Sequence, residues 1–584
     1  MDFVLRSSLT RNITGAATKG SLGRIVDYFC GFTPSRLVIT GDPGSGKTVL
    51  VIELILALLK GRADNAPVPV RLSAAALDTS RPPETAVREW LIGHLIQTYQ
   101  VPKSSARALV AARMVLPVID GLDEMDTAKD PSYASRGAQT VRACNAYLDG
   151  AAKASMVLTC RSRQYQALEK SHEWVREAAH VELRPVGLPK ARAFLSERVS
   201  DDSRWQSVLT AMRRGGNRPL AAALSTPWRL TLAAMVYDQR DPETGAYLRD
   251  PGELTMATLD TQHKIRDHLL SLLIPAVTTV NRSPYSAHHV HRWLSSLARY
   301  LNANTPTESR PIRMVGGRPL SAYDLALHEL WPLAGVRLPR ALTAIFSALP
   351  SFALGIYVYS TSSPRPEITK ISVSICFMLI QFCITWTFFW PSTYKIRLPS
   401  LLTPTGRLRV TLGIALGLIG GLASAVLYKA TGDALNWLTL TLGSGLGGGL
   451  SVGLIAGLMA RDYSPTRPHK VAGSSIVAGL ASGLAIGLML LLIILPTGKH
   501  EDLTTTLAVG LFAGLTLGFL RGLAGWRYVA LLLCTRRWNT EWLPWRLGIF
   551  LDRCYKMGLI RIAGSAYQFR HRELQEYLAR LPAA

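Results

Sequence analysis

The residues with the clearest chemical purpose are GDPGSGKT, Gly41 to Thr48. They fit the pattern G-x-x-x-x-G-K-[ST] between an apolar strand-like run and an apolar helix-like run. Gly41, Gly44 and Gly46, with Ser45 among them, let backbone N–H groups turn inward around phosphate oxygens, and the helix start beyond them adds partial positive charge. Lys47 is then expected to reach the β- and γ-phosphates, and Thr48 to hold Mg2+. Further on, VLPVIDGLDEM (Val115 to Met125) runs an apolar strand into Asp120, a carboxylate suited to the Mg2+ shell. Asp123 and Glu124 follow closely enough to polarise an attacking water. Acidic clusters after strands are often solvated loops; the phosphate loop upstream is what favours chemistry here. A third run, SMVLTCRSRQY, ends in Thr159, Cys160 and Arg161. Arg161 is placed either to sense a γ-phosphate or to sit on the surface.

Such a set binds a nucleoside triphosphate. The chain has no NKxD-type tetrad to read guanine, so ATP and ADP with Mg2+ are the expected ligands. An LSGGQ-like run is also missing, which counts against an ABC transporter.

These side chains need a scaffold that delivers them to one edge. From about residue 36 to 186, RLVIT, VPVRLS, VLPVID, SMVLTC and HVELRPV alternate with amphipathic helix patterns. That alternation predicts a parallel, doubly wound α/β sheet. Residues 1–35 are mixed and too short for a domain, and lack the apolar core of a signal peptide. Residues 187–335 read as helical, in LPKARAFLSERV and AHHVHRWLSSLARYL.

Beyond residue 335 the composition changes. Runs at 341–360, 371–390, 410–428, 434–460, 471–495 and 503–520 contain no Asp, Glu, Lys or Arg. Each is near the roughly 20 residues that a helix needs to cross a bilayer. The reading is an inserted transmembrane bundle of about six helices over 336–522, with 523–584 as a C-terminal portion. Lys395, Arg397, Arg407, Arg409, Arg461, Arg467 and Lys470 fall in alternate loops, which predicts a multi-pass protein of the cell membrane with both ends cytoplasmic. Glycines four apart (Gly445, Gly449, Gly453, Gly457; Gly479, Gly483, Gly487; Gly510, Gly514, Gly518, Gly522) suit close helix packing, or a pore. The 584 residues are 48% hydrophobic and 18% charged, with formal net charge +25. That charge suits an anionic membrane face or nucleic acid, but no basic block with interleaved aromatics marks a nucleic-acid module. The seven cysteines are scattered without a CxxC pair, so neither a disulfide framework nor a zinc site is indicated.

Taken together, GDPGSGKT, VLPVIDGLDE and VLTCRSRQY resemble the NACHT family of STAND signalling ATPases. MGLIRIAGSAYQFRHRELQEYLARL (Met557 to Leu581) is similar to the end of the winged helix associated with that family, and STPWRLTLAAMVY to its helical domain. The resemblance implies a nucleotide-binding domain over 36–186 followed by helical and winged-helix parts. It implies that His571 contacts the β-phosphate of bound ADP and that Pro227 packs against the nucleotide. It further implies a switch that exchanges ADP for ATP, self-associates on activation, resets by slow hydrolysis, and serves defence or stress signalling in response to a trigger or partner protein. The membrane block departs from the family pattern. An ATP-driven transporter or pore, and a scaffold that binds nucleotide without hydrolysis, are the alternatives.

Overall fold

The computed structural model describes residues 2–5, 19–21 and 25–362 with short breaks. It continues with parts of 375–419, residues 459–461 and 468–494, parts of 514–535, and residues 543–581 with one break. The chain forms two compact units, Met1–Ile312 with His571–Ala584, and Arg313–Arg570.

The first unit is built on a seven-stranded sheet of order β2-β1-β7-β3-β6-β5-β4. Its strands are β1 (Asp2–Leu5), β2 (Lys19–Ser21), β3 (Arg36–Thr40), β4 (Val68–Ser73), β5 (Val115–Asp120), β6 (Met156–Cys160) and β7 (Ala179–Leu183). The run β7-β3-β6-β5-β4 is parallel, and β1 and β2 add antiparallel at the β7 edge. This five-stranded parallel core with its helices fits a P-loop NTPase, as the alternating pattern predicts. The reading of residues 1–35 contains no strand, because DFVL and KGS are too short to show alternation. Here Phe3, Val4 and Leu5 pair with Leu183, Glu182 and Val181.

Continuous apolar strands need cover on both faces, and successive side chains point opposite ways. Val38, Leu72, Ile119 and Leu158 therefore join one core, under α3 (Pro83–Tyr99), α4 (Lys103–Ala111), α5 (Arg136–Leu148) and α6 (Ser162–Lys170). Leu37, Ile39, Val118 and Val157 join the other, under α1 (Ile25–Cys30) and α2 (Lys47–Lys60). Helices α7 (Leu188–Arg198), α8 (Gln206–Arg213), α9 (Arg218–Ala223), α10 (Pro227–Tyr237), α11 (Gln262–Val280) and α12 (Ala287–Asn304) follow. The C-terminal helix, Arg572–Arg580, returns to pack on α12 and α11.

The second unit corrects the membrane expectation. Among the described residues, no helix is long and apolar enough to cross a membrane. This overturns the inserted transmembrane bundle and the multi-pass cell-membrane localisation. The run at 434–460, apart from its last two residues, and most of 410–428 and 503–520 lie outside the described residues. The other runs show what their uncharged sequences do. Helix α13 (Arg337–Ser362) contains Pro350, and its Ser347 hydroxyl meets that of Thr385 at 2.7 Å. Arg340 on the same helix is buried and donates to the Trp386 carbonyl. A further helix runs from Val471 to Ile494. Its Gly479 and Gly483 lie directly against the backbone of Gly514, Gly518 and Gly522. Arg527, in the middle of the helix Leu523–Cys534, is fully buried with its guanidinium 4.9 Å from the Trp331 ring. These runs bury part of their surface in helix contacts, while Phe346, Leu349, Val477 and Leu484 on the same helices stay exposed.

Candidate functional site

Strand β3, buried along its length, delivers the chain into the loop Gly41–Gly46 at the start of α2. Gly44 (φ 75°) and Gly46 (φ 95°) are left-handed, a conformation that side-chain-bearing residues adopt only at a cost. A Cβ on Gly41 would stand 2.6 Å from Ser45 Oγ. The glycine spacing is thus dictated by the turn itself. Lys47 Nζ donates to the carbonyls of Gly41 (2.8 Å) and Asp42 (3.1 Å). Burial holds its ammonium below the ordinary lysine pKa, with Asp123 opposing that shift.

Thr48, on the first turn of α2, donates to Asp120 Oδ2 at 3.1 Å. Asp120 ends β5, and β6 lies between β5 and β3. That order puts Thr159 of β6 beside Asp120. The Thr159 hydroxyl donates to Asp120 Oδ1 at 2.6 Å and accepts from the Gly121 N–H at 2.8 Å. From the other side, Arg71 on β4 donates through Nη2 (2.6 Å) and Nε (3.1 Å) to Asp120 Oδ2. Burial pushes the Asp120 pKa up, but Arg71, Thr159 and Thr48 outweigh it and hold the carboxyl below its ordinary value.

Gly121 (φ 84°) turns the chain into a short 3-10 segment, Leu122–Glu124. The turn buries Asp123, whose Oδ2 pairs with Arg161 Nε at 2.7 Å. Arg161 is the residue preceding α6, directly after β6. Glu124 folds back so that a Cβ on Gly121 would stand 3.1 Å from its Cδ. Cys160 is fully buried, which pushes its thiol well above the ordinary value and removes it as a nucleophile.

The helical segment closes on the same loop. Thr226 caps α10, Pro227 is its first residue, and the Trp228 N–H points at the Gly44 carbonyl (3.5 Å). A Cβ on Gly44 would lie 3.1 Å from Trp228 Cβ. The indole stacks on the His571 imidazole, with ring centroids 3.4 Å apart and planes at 18°. One residue further, Arg229 is buried and pairs with Glu573 at 2.7 Å.

The fold thus gathers Gly41, Gly44, Ser45, Gly46, Lys47, Thr48, Asp120, Asp123 and Arg161 at one end of the parallel strands, with Pro227 and His571 beside the loop. Sequence reasoning missed Arg71, Trp228, Arg229 and Glu573 and gave Thr159 no role. An arginine inside the otherwise apolar VPVRLS was the one local signal, since a charge in a buried strand calls for a partner.

A nucleotide phosphate fits this cradle. Ser45 Oγ and Trp228 Nε1 are buried without a hydrogen-bond partner among the described residues, as sites that pair with a further polar group would be. Thr48 and Asp120 offer hard oxygen donors 3.1 Å apart, the kind that Mg2+ takes. Among the described residues no His, Cys, Asp and Glu cluster suits any other metal site. No curated protein matches the chain. Residues 35–202 do match the NACHT domain, which together with the parallel sheet supports a nucleotide-binding P-loop NTPase in this part of the chain.

Proposed function

We propose that the first unit is a switch that holds ADP at rest and responds to ATP, with slow hydrolysis as its reset. The observation that carries this reading is the convergence of two groups on one loop. Lys47, Thr48, Asp120 and the Asp123–Arg161 pair approach it from the sheet, and Trp228 with His571 from the helices. A plain hydrolase has no need of a C-terminal residue stacked on the tryptophan that touches its phosphate loop.

In this reading the loop N–H groups and Lys47 bind the phosphates, and Ser45 lends its hydroxyl. Thr48 and Asp120 would hold Mg2+, which supplies charge neutralisation to the phosphate oxygens. Thr159 and Arg71 keep the Asp120 carboxylate oriented and ionised. Asp123 and Glu124 position and polarise the attacking water. Arg161 is held by Asp123, and an incoming γ-phosphate competes with Asp123 for the guanidinium, which lets the site distinguish ATP from ADP. His571 reads the β-phosphate of ADP, and Pro227 shapes the wall beside it. Self-association on ATP binding is the output we assign, in a signalling role set off by a trigger or partner protein.

The test is purified protein titrated with a fluorescent ADP analogue with and without Mg2+, and its mass in solution followed on exchange into ATP. Tight ADP binding, turnover below about 1 s⁻¹ and a mass increase in ATP are expected. Absence of binding, or a Lys47→Ala variant that binds equally well, refutes the reading. A scaffold that binds without hydrolysis would leave the mass change intact in Asp123→Ala and Glu124→Ala.

A further inference from the structure

The stack between Trp228 and His571 is a flat contact with no directional lock of its own. What fixes the C-terminal helix in register lies one residue beyond Trp228 and two beyond His571. Arg229 Nη2 donates to Glu573 Oε1 at 2.7 Å, and Arg229 Nε faces Oε2 at 3.5 Å, a two-pronged fork. Its third arm reaches the Ala223 carbonyl at 3.5 Å. Both side chains are largely shielded, at 10% and 14% exposure. Glu573 stands in the first turn of its helix, where the helix dipole favours a carboxylate. Leu574, Gln575 and Leu578 bury the inner face of the same helix.

A buried guanidinium that loses its carboxylate is left with an uncompensated charge, so this helix cannot lift from α10 without stranding Arg229. The stack, in contrast, can slide or part at small cost. The two contacts therefore divide the work: Trp228 touches the phosphate loop with His571 stacked on it, and the fork decides whether His571 stays.

We propose that Arg229 and Glu573 are positioning residues that set how long bound nucleotide is retained, by pinning the helix that carries His571 against Trp228 and Gly44. The inference rests on the nucleotide-switch reading above. It assigns the control of dissociation to an ion pair with no direct part in holding phosphate.

The experiment is stopped-flow release of a fluorescent ADP analogue from the full chain, with the association rate measured in parallel. Glu573→Gln keeps the side-chain volume and removes the charge; Glu573→Asp keeps the charge and shortens the arm. Losing a charge-assisted bond is expected to speed release by about tenfold or more in the glutamine variant, and by less in the aspartate variant. Association should stay within about twofold of the parent, since the phosphate loop is untouched. The exchanged pair, Arg229→Glu with Glu573→Arg, should recover part of the slow release; a merely structural role would instead disturb association and release together. Wild-type release rates in both single variants overturn the proposal. If the glutamine variant does not fold, the aspartate variant decides: unchanged release overturns it. A parent chain that binds no ADP analogue refutes the switch reading instead, and the two failures are thereby told apart.

Discussion

Thr159→Val isolates the physics of the site with almost no change of shape. The threonine hydroxyl sits between the buried Asp120 and the half-buried turn at Gly121, donating 2.6 Å to Asp120 Oδ1 and accepting 2.8 Å from the Gly121 N–H. Valine fills the same volume and does neither. Losing a hydrogen bond to a charged group costs about 1.5–3 kcal/mol, and stranding the Gly121 N–H a further ~1–3 kcal/mol. The sum is on the order of 3–5 kcal/mol, which at about 2–4 °C per kcal/mol is a melting-temperature drop on the order of 10 °C. Thr159→Ser keeps the hydroxyl and loses only a methyl group, so it should fall by a small fraction of that. The assay is thermal unfolding of both variants beside the parent, with hydrogen exchange at Gly121 as a local reporter. Exchange there should accelerate in the valine variant and stay slow in the serine variant. A valine variant that melts with the parent would refute the claim that Thr159 is what couples Asp120 to the turn at Gly121.

Three further outcomes follow from the same structure. Lys47→Ala removes the charged donor at the phosphate loop and should weaken ADP by at least about 100-fold in a fluorescence titration, with the fold retained. Asp120 is held below its ordinary carboxyl value in the folded state. Its stabilisation is therefore complete above the unfolded pKa of about 4 and is lost as pH falls through the folded value; Asp120→Asn should flatten that acid limb in pH-dependent melting. In the second unit, Gly479→Ala places a methyl group 2.4 Å from the Gly518 carbonyl, while Gly473 has nothing within 4 Å of its added Cβ. Gly479→Ala should destabilise by about 1–3 kcal/mol, and Gly473→Ala should stabilise by up to ~1 kcal/mol, both read by thermal melting.

The parallel sheet was legible because strands buried on both faces leave unbroken apolar runs, and RLVIT, VLPVID and MVLTC are such runs. Gly41–Thr48 was legible for a related reason: its glycines answer to backbone angles, so they are written into the local sequence. Arg71 was not, because its partner is chosen by register, Ser73 opposite Asp120, and register is a property of two strands. Glu573 was harder still. It is 344 residues from Arg229, and no local pattern encodes a contact of that span. The membrane expectation failed for a different reason. A run free of charge also serves helix-to-helix contact, as Ser347 makes with Thr385 and Gly479 with Gly518. Arg527, outside the six runs, is a charge buried against the Trp331 ring, a pairing that the charge count could not locate.

The separation between Arg229 and Glu573 also has a temporal meaning. A ribosome adding about 5–20 residues per second takes roughly 20–70 s to travel from one to the other. Throughout that interval the phosphate loop and α10 have emerged, while the partner helix has yet to be translated. On the switch reading proposed above, a new chain would therefore present its phosphate loop to nucleotide before the helix carrying Glu573 exists to close on α10.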